Sequence, residues 1–203
     1  NTSFVNRIAD QTVTLEALVQ DPVDAIEALA QAEGQVGLPH PAIPLPAFLY
    51  GPTRRNSRGL DLSDEKTLRA LQRMFRDSIH QAARVVPMLA LNVPQRAGQQ
   101  VTNPSNFTDT VGTVQDATPT EVALALNAAA EGARQWASVP PTERARILDK
   151  AADQLEAEMP RLMALLIREA GKSTSNAVAE VREAIDFLRY YARQVREQFN
   201  NET

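Results

Sequence analysis

The stretch from Arg168 to Phe199 constrains the fold more than any other part of the chain. Within it, Gly171 predicts the end of one helix, because glycine readily adopts the left-handed conformation that closes helices. Ser173 is suited to cap a second, longer helix that runs almost to the C-terminus. The apolar residues of that helix recur at alternating steps of three and four: Val178, Val181, Ile185, Leu188, Ala192, Val195 and Phe199. This spacing is typical of a helix packed along its length against a core.

The opposite face of this predicted helix carries an unusual mixture for a solvated surface. At about 100° per residue, Glu183 projects there together with Phe187 and Tyr190, and with the polar Asn176 and Gln194. We therefore expect a sandwiched helix, with the core on one side and a partner or a pocket on the other. Glu183 is the candidate binding residue, since a covered carboxylate needs a cation or an amide donor. The alternative is a surface glutamate paired with an arginine at helical spacing.

The composition is that of a globular chain of one or two domains. Of the 203 residues, 43% are hydrophobic, 23% are charged and only 5% are aromatic, which favours a helical core. The net charge of −4 gives no general attraction to nucleic acid, so no nucleic-acid partner is expected. No apolar run reaches the ~20 residues that span a bilayer. The absence of cysteine excludes disulfides, thiolate metal ligands and a cysteine nucleophile within these residues, and a cytoplasmic location is expected.

The N-terminal part carries separate, short helix signals. Residues 2–8 predict the tail of an earlier helix, and the lack of an initiator methionine or a signal sequence indicates a chain that opens mid-sequence. A short helical turn is predicted over residues 14–19. A longer helix is predicted to start at Asp21 and Pro22 and to end near Gly34.

Residues 35–99 predict an irregular connector that contains one helix. Its stretch LPHPAIPLP has four prolines in nine residues, which exclude a helix and favour an extended course over a surface. The one helix is predicted to begin near Ser63, and its apolar spacing breaks at Pro87. Three nearby arginines could clamp an anion, although such a group is more often solvated or paired with acids: Arg54, Arg55 and Arg58.

Residues 100–203 predict a hairpin followed by helices. Two short strands, 99–104 and 107–114, flank a turn-rich connection, although Gly112 weakens the second strand. Thr118 to Glu121 form a capping box that opens a helix. This helix is predicted to run through Val122, Leu126, Ala129, Ala133 and Trp136. The next helix starts at Pro140-Pro141, and its residues predicted to face inward are Ile147, Leu148, Ala151 and Leu155. Another helix is predicted from Pro160. The predicted fold is thus mainly α with a short β-hairpin, divided into residues 1–34, 35–99 and 100–203.

Motifs for bound cofactors or metals are weak in this chain. Gly171-Lys172-Ser173 imitates the end of a phosphate-binding loop, but the required upstream glycine would fall at Leu166, inside a helix. His40 and His80 do not have metal-ligand spacing. No dinucleotide fingerprint occurs, and no serine has the glycine pattern of a nucleophile elbow. No metal and no cofactor are therefore expected within these residues.

Several segments together resemble the proline utilization A family, bifunctional enzymes that join proline dehydrogenase to L-glutamate-γ-semialdehyde dehydrogenase. The segments REAGKST and NAVAEVREAIDFLRYYA carry the resemblance at the C-terminal end. NTSFVNRIAD is similar to the exit from the family's proline dehydrogenase barrel, and GLPHPAIPLP, LYG and NSRGLDL are similar to its connector. PPTERARILDKAADQLE is similar to the beginning of its aldehyde dehydrogenase module. The resemblance implies the N-terminal portion of an aldehyde dehydrogenase-like α/β fold, preceded by the Pro-rich inter-domain connector.

The resemblance implies chemistry that lies outside these residues. FAD-dependent proline oxidation would use a barrel before Asn1, and NAD-dependent oxidation of the semialdehyde would use a cysteine nucleophile and a nucleotide-binding fold beyond Thr203. The chain alone is then catalytically inactive, with FAD and NAD as cofactors of the parent enzyme. Its partners would be the remaining modules of the same polypeptide and the small substrates proline and glutamate semialdehyde. The parent is expected to be a homo-oligomer, cytoplasmic or peripheral at the membrane.

One site residue follows from the resemblance. The matching helix in related dehydrogenases lines the aldehyde entrance, so Glu183 would face the amino group of the substrate, with Phe187 and Tyr190 bordering the entrance. Two other classes of function stay open. The chain could be a helical scaffold that binds a protein without chemistry, or a nucleic-acid-binding segment, which the net charge argues against.

Overall fold

A computed structural model describes residues 10–34, 38–79, 83–90 and 92–199. The helix tail predicted over residues 2–8 and His80 lie outside these ranges. The chain divides into two compact units, one that ends at Leu45 and one that begins at Pro46. Every helix within the described ranges is too short or too polar to traverse a lipid bilayer.

The first unit contains the two predicted helices. Helix α1 spans Leu15–Val19, and helix α2 spans Pro22–Glu33. The side chain of Asp21 accepts a hydrogen bond from the Val23 backbone N at 2.7 Å, which satisfies one of the free amides at the start of α2. Gly34 ends α2 in the left-handed conformation, with φ of 78°. Residues 38–45 have no helix or strand, as the prolines predict.

The second unit contains the remaining elements of the described chain. A short 3₁₀ helix spans Pro46–Phe48. Five further helices follow, interrupted by three strands: α3 Glu65–Ile79, β1 Ala83–Val85, β2 Gln99–Asn103, β3 Asn106–Val114, α4 Pro119–Ala137, α5 Pro141–Ala157, α6 Met159–Ala170 and α7 Thr174–Gln198.

The predicted hairpin is confirmed, and a third strand extends it. β2 and β3 pair antiparallel, while β1 pairs parallel with β3, giving the order β1-β3-β2. The helical spacing expected to continue from Ser63 to Pro87 is wrong at residues 83–85, which form β1. Gly112 lies opposite Ala83, and a Cβ placed on Gly112 would lie 2.2 Å from the Ala83 carbonyl oxygen. This glycine therefore permits the close approach of β1 to β3.

The core of the second unit lies among α3, α5, α6 and α7. Its fully or nearly fully buried members are Leu71, Ala152, Met159, Met163, Ala177, Val178, Val181 and Ile185. Most of the predicted α7 seam is therefore confirmed, with Ala192 also buried and Leu188 packed against the cluster. Phe199 is an exception. It is half exposed because α7 ends at Gln198, so Phe199 lies past the last helical turn.

The apolar side chains of α4 are exposed in the described chain, and so is Ile147, which was predicted to face inward from α5. Val122, Leu126 and Trp136 are 47%, 66% and 49% exposed, and Ile147 at the start of α5 is 46% exposed. Ala129 and Ala133 are exposed as well. Helical spacing shows that an apolar face exists, but the segment that covers such a face is not encoded in the spacing.

Candidate functional site

Glu183 lies on the exposed side of α7 and lines an open cleft of about 260 Å³. The helix is placed as predicted, because Gly171 ends α6 with φ of 64° and Ser173 Oγ accepts a hydrogen bond from the Asn176 backbone N at 3.3 Å. The cleft is lined by residues of α7 and by one residue of the connector: Arg54, Glu183, Asp186, Phe187 and Tyr190. The structure thus brings Glu183 together with both predicted aromatic residues. Asn176 and Gln194, which were predicted on the same face, do not line the cleft.

The aromatic side of the cleft is built from neighbouring turns of α7. The rings of Tyr190 and Tyr191 meet edge to face with centroids 5.2 Å apart, and Phe187 stacks on Tyr191 at 6.1 Å. Both arrangements are favourable for aromatic pairs. Phe187 is 50% exposed and Tyr190 is 39% exposed. The cleft therefore offers apolar surface beside a carboxylate, which suits a ligand with a short hydrocarbon chain and a polar end.

Arg54 enters the cleft from the connector. Its guanidinium carbon lies 3.7 Å from the centre of the Tyr50 ring and 5.7 Å from that of the Tyr190 ring. Both distances fall within the range of cation–π attraction. Of the three arginines that could have clamped an anion, Arg54 is the one that lines the cleft.

Asp186 holds the connector against α7. Its carboxylate accepts hydrogen bonds from the Ser57 backbone N at 2.7 Å and from Ser57 Oγ at 2.8 Å. Asn56, with its amide oriented to satisfy both groups, donates to the two Asp186 oxygens at 3.0 and 2.8 Å. Arg182 Nε donates to Ser57 Oγ at 3.1 Å. Asn56 and Ser57 are buried, with exposed fractions of 8% and 1%, whereas Asp186 is half-buried.

A second anchor of the connector lies one residue further on. The backbone N of Arg58 donates to Glu156 Oε1 at 2.6 Å. Arg189 Nη2 donates to Glu156 Oε2 at 2.8 Å and to Asp153 at 2.9 Å. Burial opposes ionisation of Glu156, but the hydrogen bonds from Arg189 and from the Arg58 backbone outweigh it and lower the pKa of this carboxyl. The ionised carboxylate of Glu156 in α5 thus joins the connector to α7.

Two further ion pairs stabilise the fold away from the cleft. Arg168 of α6 donates to both oxygens of Asp109 on β3, at 2.6 and 3.1 Å, and with Asn103 lowers the pKa of Asp109 to about 2. Arg96 donates to both oxygens of Glu121 and, with the Thr118 backbone N, lowers the pKa of Glu121 to about 2.

The predicted capping box at the start of α4 is confirmed. Thr118 Oγ1 accepts from the Glu121 backbone N at 3.2 Å, and Glu121 Oε2 accepts from the Thr118 backbone N at 2.8 Å.

The described residues hold no group of three or more histidine, cysteine or acidic side chains arranged to bind a metal ion. His40 Nδ1 accepts a hydrogen bond from the Ala42 backbone N at 3.1 Å, which gives this side chain a local role.

The docking of the connector on α7 was missed by sequence reasoning. Asp186 was not singled out because an aspartate one turn from Glu183 looks like part of a solvated helix face. Asn56 and Ser57 belong to the NSRGLDL segment that carries the family resemblance. That segment indicates which family the chain resembles, but its residue spacing does not indicate which side chain of α7 it contacts.

Comparison with known proteins defines the class. The family model described as "Aldehyde dehydrogenase family" matches residues 93–203, and the chain belongs to this family. Over its entire length the chain is also 54% identical to two curated proteins named "Bifunctional protein PutA", from Klebsiella aerogenes and Escherichia coli K12. All 203 residues align in both cases, so the predicted resemblance to proline utilization A is confirmed. The chain spans only 16% and 15% of the lengths of these two relatives.

Solved structures agree with this assignment. A crystal structure of a bifunctional proline utilization A protein matches 100% of this chain and 17% of its own, with a TM-score of 0.61 and 35% identity. A mutant of 1-pyrroline-5-carboxylate dehydrogenase from Thermus thermophilus matches 79% of this chain and 30% of its own, with a TM-score of 0.65 and 29% identity. The predicted N-terminal portion of an aldehyde dehydrogenase-like fold is therefore confirmed.

Proposed function

We propose that this chain is the part of a bifunctional proline-catabolic enzyme that joins the proline dehydrogenase module to the glutamate-semialdehyde dehydrogenase module. In this proposal the whole enzyme oxidises proline to glutamate, and the chain alone catalyses neither step. One observation carries it. The aldehyde dehydrogenase match begins at residue 93, whereas the match to the bifunctional relatives covers the chain from its first residue. The match to the bifunctional relatives therefore reaches further toward the N-terminus than the matches to 1-pyrroline-5-carboxylate dehydrogenases, which cover 46%, 68% and 79% of the chain.

The cofactors belong to other parts of the whole enzyme in this proposal. Family membership supports NAD, and one related 1-pyrroline-5-carboxylate dehydrogenase structure is described with bound NAD. NAD would accept the hydride of the aldehyde, and FAD would serve the proline oxidation. Within the described residues no glycine-rich phosphate loop accompanies a helix start, so no residue of this chain is assigned to either cofactor. FAD dependence, a homo-oligomeric state and a location that is cytoplasmic or peripheral at the membrane are carried over from the family resemblance.

The role proposed for this chain at the site is substrate binding by Glu183. Its carboxylate opens onto the cleft beside Phe187 and Tyr190. Among the described residues no arginine or lysine lies within ion-pair distance of Glu183, so its charge is available to a ligand. A substrate ammonium would donate charge-assisted hydrogen bonds to it, while the aromatic rings would cover the methylene groups. This arrangement would orient the aldehyde end toward the catalytic groups of the downstream module.

The test uses the whole enzyme and steady-state kinetics with glutamate semialdehyde and NAD. Glu183→Gln keeps the size and removes the charge, so kcat/KM is expected to fall about 10- to 100-fold. Glu197→Gln is the matched control on the same helix, because Glu197 pairs with Arg193 away from the cleft. The control is expected to keep wild-type kinetics. Unchanged kinetics in Glu183→Gln would remove this residue from the site.

A second candidate is a helical protein-binding module without chemistry. The exposed apolar side chains of α4, among them Val122, Leu126 and Trp136, favour it, because exposed apolar patches often mark interaction sites. Under the first proposal, downstream residues of the same polypeptide cover this face instead. If α4 is protected from protease in the whole enzyme but not in the 203-residue chain, downstream residues cover it. A whole enzyme that lacks NAD-dependent turnover would instead favour the binding module.

A further inference from the structure

Helix α2 of the first unit has an apolar side that stays exposed. Val23, Ile26 and Leu29 follow one another at steps of three, so their side chains lie on one side of the helix. Each of the three is at least half exposed. Among the described residues of this unit, 10–34 and 38–45, none is buried. The described part of the first unit therefore has no core of its own against which α2 could pack.

A helix as short as α2 depends on packing for its stability. It has 12 residues, and isolated helices shorter than ~12–15 residues are marginal in water. Asp21 and Gly34 determine where α2 begins and ends, but caps satisfy only some of the backbone groups at the two ends. Burial of an amphipathic side supplies most of the stability of helices in proteins. The side that carries Val23, Ile26 and Leu29 is therefore expected to be covered in the whole protein.

The charge around this apolar side has a single sign. Glu27 lies one turn after Val23, and Glu33 lies one turn after Leu29, so carboxylates border the apolar side at two places. Both glutamates are exposed. Residues 10–45 contain no lysine or arginine, and their six acidic residues are Asp10, Glu16, Asp21, Asp24, Glu27 and Glu33.

This combination of charge and apolar surface selects the kind of partner. Lipid or nucleic-acid phosphates would be repelled by the carboxylates, and a second copy of the same side would bring Glu27 and Glu33 against like charges. A protein groove with an apolar floor and a rim of lysine or arginine complements both features. Amphipathic helices bind such grooves through apolar anchors three or four residues apart.

We propose that α2 is a docking helix that binds a basic-rimmed apolar groove of the proline dehydrogenase module. The helix lies outside residues 93–203, which match the aldehyde dehydrogenase family. The bifunctional relatives match the chain over its entire length, α2 included. A groove on the other module of the bifunctional polypeptide accommodates both matches. This inference rests on the proposed function and deepens it, because it names a surface through which this chain contacts one of the two modules.

Hydrogen–deuterium exchange of the α2 amides in the whole enzyme measures the docking. Ile26→Gln replaces an apolar anchor with a polar side chain and is expected to speed this exchange about 10- to 100-fold. Ala28→Gln is the matched control, because it places the same side chain on the opposite side of α2. Glu33→Lys is expected to speed the exchange about 3- to 10-fold, since it sets a cation beside the basic rim. Gln31→Lys introduces the same cation on the opposite side and is expected to leave the exchange unchanged.

A photoreactive amino acid in place of Val23 identifies the partner by mass spectrometry of the cross-linked whole enzyme. Cross-links to residues of the proline dehydrogenase module are expected, and they are expected to weaken when Ile26→Gln is added. Cross-links to a second subunit or to any other part of the polypeptide would overturn the inference. An absence of cross-links, or wild-type exchange in Ile26→Gln, would overturn it as well.

Proline oxidation and NAD-dependent oxidation of glutamate semialdehyde are assayed on the same preparation. If both activities are present, any of the contrary outcomes overturns the inference and leaves the proposed function standing. If either activity is missing from the wild-type enzyme, the proposed function is refuted and the inference with it.

Discussion

Asp186 accepts hydrogen bonds from both the backbone N and the Oγ of Ser57, at 2.7 and 2.8 Å, although the two residues are 129 positions apart in the sequence. Asp186 lies one helical turn from Glu183, on the same side of α7. The contact therefore sets the position of Arg54, three residues before Ser57, relative to Glu183. The placement of both charged groups of the cleft thus depends on the half-buried carboxylate of Asp186.

The substitution Asp186→Ala is expected to release the connector from α7. It leaves the Ser57 amide and hydroxyl and the Asn56 amide without their acceptor, at a cost of roughly 1–3 kcal/mol for each buried donor that stays unsatisfied. Hydrogen–deuterium exchange of the whole enzyme is the measurement. The Ser57 amide is expected to exchange faster, together with its neighbours.

The control for this release is Asp77→Ala, which removes an exposed aspartate of α3. It is expected to leave the exchange of Ser57 as in the wild type. If Asp186→Ala also left that exchange unchanged, the hydrogen bonds of Asp186 would not be what holds the connector.

The core substitution Ile185→Ala is expected to destabilise α7 strongly. Ile185 has no exposed surface, and removing such a side chain leaves a cavity that costs about 2–5 kcal/mol. The opening free energy of α7, from hydrogen exchange of its slowest amides, is the measurement. Met88→Ala, at a side chain that is 98% exposed, is the control. A similar opening free energy in both variants would contradict the packing described here.

The buried side of α7 could be predicted because helical spacing is a local property of the sequence. Val178, Val181 and Ile185 are buried as their spacing predicts, because residues that recur at steps of three and four lie on one side of a helix. The capping box at Thr118 and Glu121 was predictable for the same reason, since both partners lie within one turn. Phe199 continued the spacing, but the helix ends before it.

The remaining features depend on contacts between distant residues. Asp186 and Ser57 meet only after the fold has formed, and no spacing within the chain links them. Strand β1 has three residues, too few to show an alternating pattern, and the helical spacing before it led to the wrong prediction. Leu126 follows the apolar spacing of α4 but is exposed, so the spacing did not predict whether this residue is covered. An amphipathic pattern predicts a face, whereas the partner of that face is a tertiary property.

The substitution Gly112→Ala is expected to separate β1 from β3. Its Cβ would lie 2.2 Å from the Ala83 carbonyl oxygen, and that atom belongs to the backbone, so β1 itself must move. Loss of exchange protection at the Gln115 backbone N, which donates to the Val85 carbonyl oxygen at 2.9 Å, is the measurement. Gly132→Ala is the matched control.

Gly132 lies inside α4 with no atom near its added Cβ. Replacing it with alanine is expected to stabilise the helix by about 0.5–1 kcal/mol, because alanine has less backbone freedom to lose. Protection of Gln115 that survives Gly112→Ala would show that β1 can pair at a greater distance from β3.

Acidification is expected to weaken the link between the hairpin and α6. Arg168 lowers the pKa of Asp109 from 3.8 to about 2, so the folded chain holds this carboxylate ionised at pH values where the unfolded chain protonates it. The stabilisation is fully present above the unfolded value and is lost as the pH falls from about 4 toward 2. Asp109→Asn is expected to reduce stability at neutral pH and to flatten its dependence on pH over that interval, in thermal unfolding followed between pH 2 and 5. The control is Asp116→Asn, which changes an exposed aspartate just after β3. This variant should retain the wild-type slope. A wild-type slope in Asp109→Asn would mean that another carboxylate, such as Glu121 beside Arg96, carries the acid sensitivity.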